Sequence, residues 1–239
     1  MSKPQRPTLL SKYAEACLEA LSASGHGRWL SLGGAFGLAH YFEYRATHDV
    51  DAWWLESATH EQRQQVVRLI EGALEKFGAV RTRSWGDVVS VELMEQGPAQ
   101  SLPKGRVIFS FQIAQRSARL SAPLMSAWGG VPLDSFDDLV ASKMAALVER
   151  GAPRDLRDIY MLCQSGQVSA AHCWKLWRAR QQLTGENADP LRAEVAIRTH
   201  LARLAQARPL EQIADLQERA AAEQVRTWFA TEFLRDMAN

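Results

Sequence analysis

Two adjacent glycines and two alternating aspartates, separated by a segment of helical length, constrain this chain more than any other feature. Gly33 and Gly34 open the segment, and Asp49 and Asp51 close it. We expect, in order, a strand over 29–32, a glycine turn, a helix over 35–44 and a second strand over 48–54. Because successive side chains of a strand point to opposite faces, Asp49 and Asp51 are predicted to share one face.

This pattern indicates a site for a divalent cation and a phosphate group. Two neighbouring carboxylates repel each other, and a hard cation such as Mg²⁺ (or Mn²⁺), which prefers oxygen ligands, relieves that repulsion. The turn at Gly33 and Gly34 lets backbone N–H groups approach a ligand, and the start of the next helix adds unpaired N–H groups. Such a combination is typical of phosphoryl or nucleotidyl transfer.

The same segment resembles the first motif of the AbiEii/AbiGii nucleotidyltransferase toxins, a family within the polymerase-beta-like nucleotidyltransferase superfamily. The residues that carry this resemblance are Gly33, Gly34, Leu38, His40, Tyr41, Arg45, Thr47, Asp49, Val50 and Asp51. The resemblance implies that Asp49 and Asp51 bind the metal and that the glycine turn holds the β- and γ-phosphates of a nucleoside triphosphate. It also implies that Arg45 and Thr47 order the loop or contact phosphate.

A later segment resembles a second motif of the family. Lys143 is predicted to lie on a helix over 136–149, and an Arg-Asp-x-x-Asp run follows, in which the aspartates are Asp155 and Asp158. By this resemblance Lys143 contacts the triphosphate, and Asp158 positions the lysine or the acceptor. Lysine is a compact charge suited to phosphate oxygens as pyrophosphate departs. The alternative is a solvated helix face with surface ion pairs of little energetic value.

The family resemblance implies a metal-dependent enzyme that transfers a nucleoside monophosphate from an NTP to an acceptor hydroxyl and releases pyrophosphate. The implied acceptor is the 3′ end of a tRNA or another RNA, and the implied context is a bacterial toxin–antitoxin or phage-defence system with a cognate antitoxin. Superfamily members usually carry a third carboxylate on a strand such as 106–114, where this chain has Ser110 and Gln112. Glu92 and Glu95 are the candidate substitutes.

The remaining sequence predicts a mixed α/β (α+β) fold in two parts. A nucleotidyltransferase core with a mixed sheet is expected over residues 1–134, and a helical portion that completes the active-site cleft over 135–239. The hydrophobic content of 46% and the charged content of 23% are those of an ordinary globular protein. The odd number of cysteines, without metal-ligand spacing, predicts reduced thiols and a cytoplasmic location, and the sequence contains no apolar run of membrane-spanning length.

Two other functions are compatible with these residues. A small-molecule nucleotidyltransferase that modifies an antibiotic would use the same fold and the same aspartates. A catalytically silent member that acts by binding a partner protein would explain the missing third carboxylate. Several arginines in the helical portion offer a basic face for an RNA backbone, although such residues are often only a solvated surface. They are Arg178, Arg180, Arg192, Arg198, Arg203 and Arg208.

Overall fold

The computed structural model describes residues 3–95, 105–116 and 118–235. The chain divides into two compact units, Met1–Ser117 with Ser121–Leu139 and Ala118–Leu120 with Val140–Asn239. The first unit contains the sheet and the second is built from helices. The fold class is therefore the predicted one, a mixed α/β sheet core followed by a helical portion.

The strands form one seven-stranded mixed sheet, in the order β3-β4-β5-β2-β1-β7-β6. Strand β2 pairs antiparallel with β1 and parallel with β5. The strands are β1 (Leu30–Gly33), β2 (Asp49–Trp54), β3 (Val80–Trp85), β4 (Val88–Met94), β5 (Val107–Gln115), β6 (Leu124–Met125) and β7 (Pro132–Leu133).

The helices lie before, between and after the strands. In the first unit they are α1 (Lys12–Ala23), α2 (Gly34–Ala39) and α3 (His60–Leu74). Helix α4 (Phe136–Glu149) contributes its first residues, through Leu139, to the first unit and the rest to the second. The others are α5 (Pro153–Gln164), α6 (Ala170–Thr184), α7 (Pro190–Ala207) and α8 (Leu216–Trp228). No helix within the described ranges is long and apolar enough to cross a bilayer.

Alternation along the strands separates a core face of the sheet from a polar face. On β2, Val50, Ala52 and Trp54 are 0–3% exposed and belong to the hydrophobic core. Strands β4 and β5 contribute apolar residues to the same face, and α1 and α3 supply the helical side of this core. The residues that alternate with them, including Asp49 and Asp51, therefore lie on the opposite face.

Helix α3 shows how local sequence fixes a boundary. The Thr59 side chain accepts from the backbone N–H of Gln62, and the Gln62 side chain accepts from the backbone N–H of Thr59. This reciprocal capping box satisfies two N–H groups at the helix start, where intrahelical partners are lacking.

The second unit has its own apolar centre. Trp174 and Trp177 of α6 meet edge to face, with ring centroids 5.7 Å apart, and Trp174 also packs on Phe233. The indole N–H of Trp174 donates to the Phe233 carbonyl at 3.1 Å. A buried indole needs such a partner, so the contact fixes the last described turn of the chain against α6.

One predicted element differs from the structure. The helix expected over 35–44 begins at Gly34 and ends at Ala39, because the N–H groups of His40 and Tyr41 bond back to Gly37 and Leu38, three residues earlier. Such bonds tighten the last turn of a helix and end it. Helix α2 therefore has only 6 residues, and the rest of the segment is a loop that leads to β2.

Candidate functional site

Asp49 and Asp51 lie on the polar face of β2, as predicted. Asp49 is exposed and Asp51 is half-buried. In the register with β5, Asp49 lies opposite Ser110 and Asp51 opposite Gln112. The Ser110 hydroxyl donates to Oδ1 of Asp49 at 2.8 Å, so one oxygen of this carboxylate is oriented by the neighbouring strand.

The two glycines lie against the side chains of β2. Gly33 is opposite Asp51 in the β1–β2 register, and Gly34 has a φ of +59°. A Cβ on Gly34 would lie 2.0 Å from Oδ2 of Asp51, and a Cβ on Gly33 would lie 2.2 Å from Nε1 of Trp53. A side chain at either position would displace its neighbour on β2, and at Gly34 the left-handed backbone adds conformational strain.

This arrangement revises the reason for the paired glycines. With 6 residues, α2 offers only a short stack of peptide dipoles behind the turn. The observed role of Gly34 is to let the backbone at the start of α2 approach the Asp51 carboxylate. Gly34, the first residue of α2, thus lies directly against one of the two candidate metal ligands. Binding of phosphate at this turn stays a prediction.

The donor set fits a hard divalent cation. Asp49 and Asp51 supply two carboxylates from alternate positions of one strand, and Ser110 and Gln112 add neutral oxygens on the neighbouring strand. Mg²⁺ is commonly held by one or two carboxylates together with substrate phosphates. Among the residues that the structure describes, no group of three or more His, Cys, Asp or Glu side chains is placed to hold a metal.

The candidate substitutes for a third carboxylate do not join the pair. Glu92 lies opposite Ser110 on β4, but it accepts two hydrogen bonds from Arg81, at 2.6 and 2.9 Å, and has Arg83 at 3.8 Å. Its charge is thereby balanced within the sheet. Glu95 follows the end of β4 and is exposed.

Arg45 and Thr47 lie in the loop that precedes β2. The Arg45 side chain donates to the Tyr44 hydroxyl at 3.1 Å and to the Ala46 carbonyl at 3.4 Å, and its guanidinium lies over the Tyr44 ring. These contacts are local and order the loop. Thr47 is half-buried. Contact of either residue with phosphate stays a prediction.

His40 is a packed residue. It is 2% exposed, its Nδ1 donates to the Phe36 carbonyl at 3.0 Å, and its ring meets those of Phe36 and Trp128 edge to face. Nε2 has no hydrogen-bond partner among the described residues. Burial lowers the pKa of this imidazole and outweighs the backbone hydrogen bonds that act in the opposite direction.

An ion cluster that the sequence did not reveal lies on the polar face beyond Trp53. Arg116, at the end of β5, bonds to Asp134 and, at 3.0 Å, to Asp138, and its guanidinium lies 5.7 Å from the Trp53 ring. The Ser31 hydroxyl also donates to Asp134. Burial raises the pKa of Asp134 even though Arg116 acts to lower it. The cluster ties β1, β5 and the segment after β7 together beside the strand that carries the candidate ligands.

Lys143 forms a buried ion cluster in the second unit. Its Nζ lies 2.7 Å from Oδ2 of Asp158 and 3.5 Å from Oδ1 of Asp155. Arg150 makes a two-bond contact with Asp155, at 2.8 and 3.1 Å. Asp155 and Asp158 are at most 1% exposed, so the alternative of a solvated face with surface pairs does not describe them. Arg154 of the same run is exposed.

The Lys143–Asp158 pair has the geometry that a positioning role for Asp158 requires. Contact between the lysine and a triphosphate, and the catalytic roles of both residues, stay predictions. The charges of Lys143 and Arg150 balance those of Asp155 and Asp158. A phosphate at Lys143 would therefore share the ammonium group with Asp158.

One family model matches most of the chain. The family described as "Nucleotidyl transferase AbiEii toxin, Type IV TA system" matches residues 16–235. A search of curated proteins finds no match. Among solved structures, a crystal structure of a "putative nucleotidyltransferase from H. pylori" superposes with a TM-score of 0.49 at 16% identity and covers 95% of each chain.

Proposed function

Because the chain belongs to the AbiEii nucleotidyltransferase toxin family, we propose that it transfers a nucleoside monophosphate from an NTP to the 3′ hydroxyl of an RNA. The family assignment confirms the resemblance inferred from the two motifs. It makes the chain a nucleotidyltransferase with an NTP as substrate, in a toxin–antitoxin context with a cognate antitoxin. The RNA acceptor, with tRNA as the first candidate, and the role in phage defence are part of the proposal.

The observation that carries the proposed site is the placement of Asp49 and Asp51 on one strand face, with Asp51 against the turn at Gly34. These aspartates would hold Mg²⁺ or Mn²⁺, which, when bound, supplies positive charge to the triphosphate. The N–H groups after Gly33 would bind the β- and γ-phosphates. Arg45 and Thr47 would keep the loop beside them in place.

In the proposed reaction the acceptor oxygen forms a bond to the α-phosphorus, and the bond from that phosphorus to the pyrophosphate oxygen breaks. The hydroxyl proton leaves for solvent. Lys143, oriented by Asp158, would neutralise charge on the departing pyrophosphate. The three cysteines are free thiols, as is usual in the reducing cytoplasm. We therefore propose a cytoplasmic location, where the enzyme has access to both NTP and RNA.

A label-transfer assay tests the proposal. Each α-labelled NTP is incubated with the protein, Mg²⁺ and either total tRNA or a panel of aminoglycosides. We expect label in the tRNA, and we expect none with the Asp49→Ala/Asp51→Ala variant. The matched control, Glu61→Ala/Glu75→Ala, removes two exposed carboxylates from the two ends of α3 and should retain full transfer. Label in the small molecules alone would replace the RNA acceptor with an antibiotic.

A silent, protein-binding member is the second candidate, because the described residues offer two carboxylates at this site and no third. Growth distinguishes it from the enzyme. Cells that express the wild-type chain should grow poorly, and cells that express Asp49→Ala/Asp51→Ala at the same protein level should grow normally. If the double variant arrests growth as strongly as the wild type, toxicity does not arise from nucleotidyl transfer.

A further inference from the structure

A cleft of about 460 Å³ lies on the core face of the sheet, between α3 and the β3–β4 hairpin. Trp54 contributes to its lining from β2, and Thr82 and Ser84 contribute from β3. Trp54 alternates with Asp51 along β2, so the cleft and the candidate metal ligands are on opposite faces of the same strand. The cleft is therefore separate from the site described above.

Two guanidinium groups line the cleft without carboxylate partners in the described ranges. Arg63 and Arg68 are on α3, and neither forms an ion pair with any residue that the structure describes. Arg63 is held in place by a bond to the Ala58 carbonyl at 3.1 Å and by the Trp54 ring at 5.5 Å, and Arg68 bonds to Gln65. Asp87 is the one carboxylate among the described residues of the lining.

The remaining lining is apolar or weakly polar. Trp54, Val67 and Val89 form an apolar wall, and Ser84 supplies a hydroxyl, whereas the Thr82 hydroxyl already donates to Glu71. Paired arginines are suited to phosphate, which they contact in a forked geometry. A flat apolar ring would fill the space along the wall. Ligand pockets commonly have volumes of about 300–1,000 Å³, so the cleft is large enough for one nucleotide.

We propose that this cleft binds a nucleotide, with the phosphate at Arg63 and Arg68 and the base along the partly exposed side chains of Val67 and Val89. A ligand with this phosphate and base can come from two sources, a free nucleotide or one nucleotide unit of an RNA strand. The assignment does not depend on the proposed transfer reaction.

Calorimetric titration of the full chain tests the proposal. The protein carries Asp49→Ala/Asp51→Ala, which removes the candidate metal ligands. The probes are AMP, a ten-nucleotide single-stranded RNA and ribose 5-phosphate. We expect binding of AMP, of the RNA or of both, and we expect Arg63→Gln/Arg68→Gln to weaken that binding at least tenfold. The matched pair Arg83→Gln/Arg106→Gln removes the same charge outside the cleft and should change binding less than twofold.

The probes separate the two sources. Loss of AMP binding in the Arg63→Gln/Arg68→Gln variant identifies a free nucleotide as a sufficient ligand, and loss of RNA binding alone identifies a nucleic-acid segment. Equal affinity for AMP and ribose 5-phosphate would overturn base recognition. Equal weakening by both arginine pairs, or by neither, would overturn the site.

A single variant keeps the test sound if the double variant fails to fold. Arg68 is exposed and bonds to Gln65, a near neighbour on the same helix, so Arg68→Gln should leave the thermal midpoint unchanged. It should weaken binding at least threefold. Because all of these titrations are made without the candidate metal ligands, a negative result leaves the label-transfer test of the proposed function untouched.

Discussion

Two pairs of aspartates, Asp49 with Asp51 on β2 and Asp155 with Asp158 on α5, lie in contrasting surroundings. Asp155 and Asp158 are buried and face Lys143 and Arg150. Asp49 is exposed, forms no ion pair among the described residues and accepts a hydrogen bond from a neutral hydroxyl.

The contrast indicates different tasks. A buried carboxylate must have its charge balanced inside the protein, because the desolvation of an unpaired ion costs several kcal/mol. The α5 pair meets that requirement fully, which suits a cluster that holds a lysine in one orientation. The β2 pair leaves Asp49 open to solvent, where a cation from outside can bind. The comparison therefore separates carboxylates that organise the protein from the exposed carboxylate of Asp49, which a ligand from outside can reach.

The first way to break this comparison is to remove one carboxylate from each pair. Asp155→Ala removes the carboxylate that Arg150 and Lys143 share, and we expect the free energy of unfolding to fall by about 1–3 kcal/mol, because the buried hydrogen bonds of Asp155 are lost while Lys143 keeps Asp158. Asp49→Ala, at an exposed position, should change it by no more than about 0.5 kcal/mol. Urea denaturation of the two variants measures both. Equal losses would show that β2 also depends on its carboxylate for stability.

The second prediction tests the glycine turn against a matched glycine. Gly34→Ala would place a methyl group against the Asp51 carboxylate and displace it, so we expect kcat/KM for nucleotidyl transfer to fall about 100-fold. Gly86 in the β3–β4 turn also has a positive φ, +52°, but a methyl group there would have no described atom within 4 Å beyond its chain neighbours. Gly86→Ala should lose about 1–2 kcal/mol of stability and retain its activity.

If both alanine variants lose activity to the same extent, backbone strain accounts for the effect and contact with Asp51 does not. Thermal melts of the two proteins provide the comparison. We expect similar shifts from the left-handed backbone, with a further loss in Gly34→Ala from the displaced carboxylate.

Short-range sequence patterns were sufficient to predict much of this molecule. The alternation of β2 placed Asp49 and Asp51 on one face. This prediction depends on residues within a few positions of each other, where strand geometry is fixed. The predicted length of α2 was wrong, because the residues after Gly37 close a tight turn that helix periodicity does not reveal.

What the sequence could not predict depends on contacts between distant parts of the chain. Arg116 bonds to Asp134 and Asp138, 18 and 22 residues away, and nothing at these positions identifies the partners before the order of the strands is known. The burial of Asp155 had the same origin. The spacing of Asp155 and Asp158 fits a pair on a helix surface as well as a buried pair, and the packing of α5 decides between these two arrangements.

His40 extends the comparison to a buried group whose pKa is lowered by burial more than its hydrogen bonds and charged neighbours raise it. It gives the prediction with the smallest expected effect on stability. Its pKa is lowered by burial, so below pH 6.5 the unfolded chain takes up a proton before the folded chain does. Stability that is fully present above pH 6.5 should therefore be lost as the pH falls toward the lower pKa of the folded state. For one proton, the slope of the unfolding free energy against pH is at most about 1.4 kcal/mol per pH unit.

His40→Leu removes the group. Urea denaturation of both proteins at about pH 7.5, 6.5 and 5.5 should show a shallower fall of the unfolding free energy for the variant. Parallel curves would mean that another group accounts for the acid sensitivity.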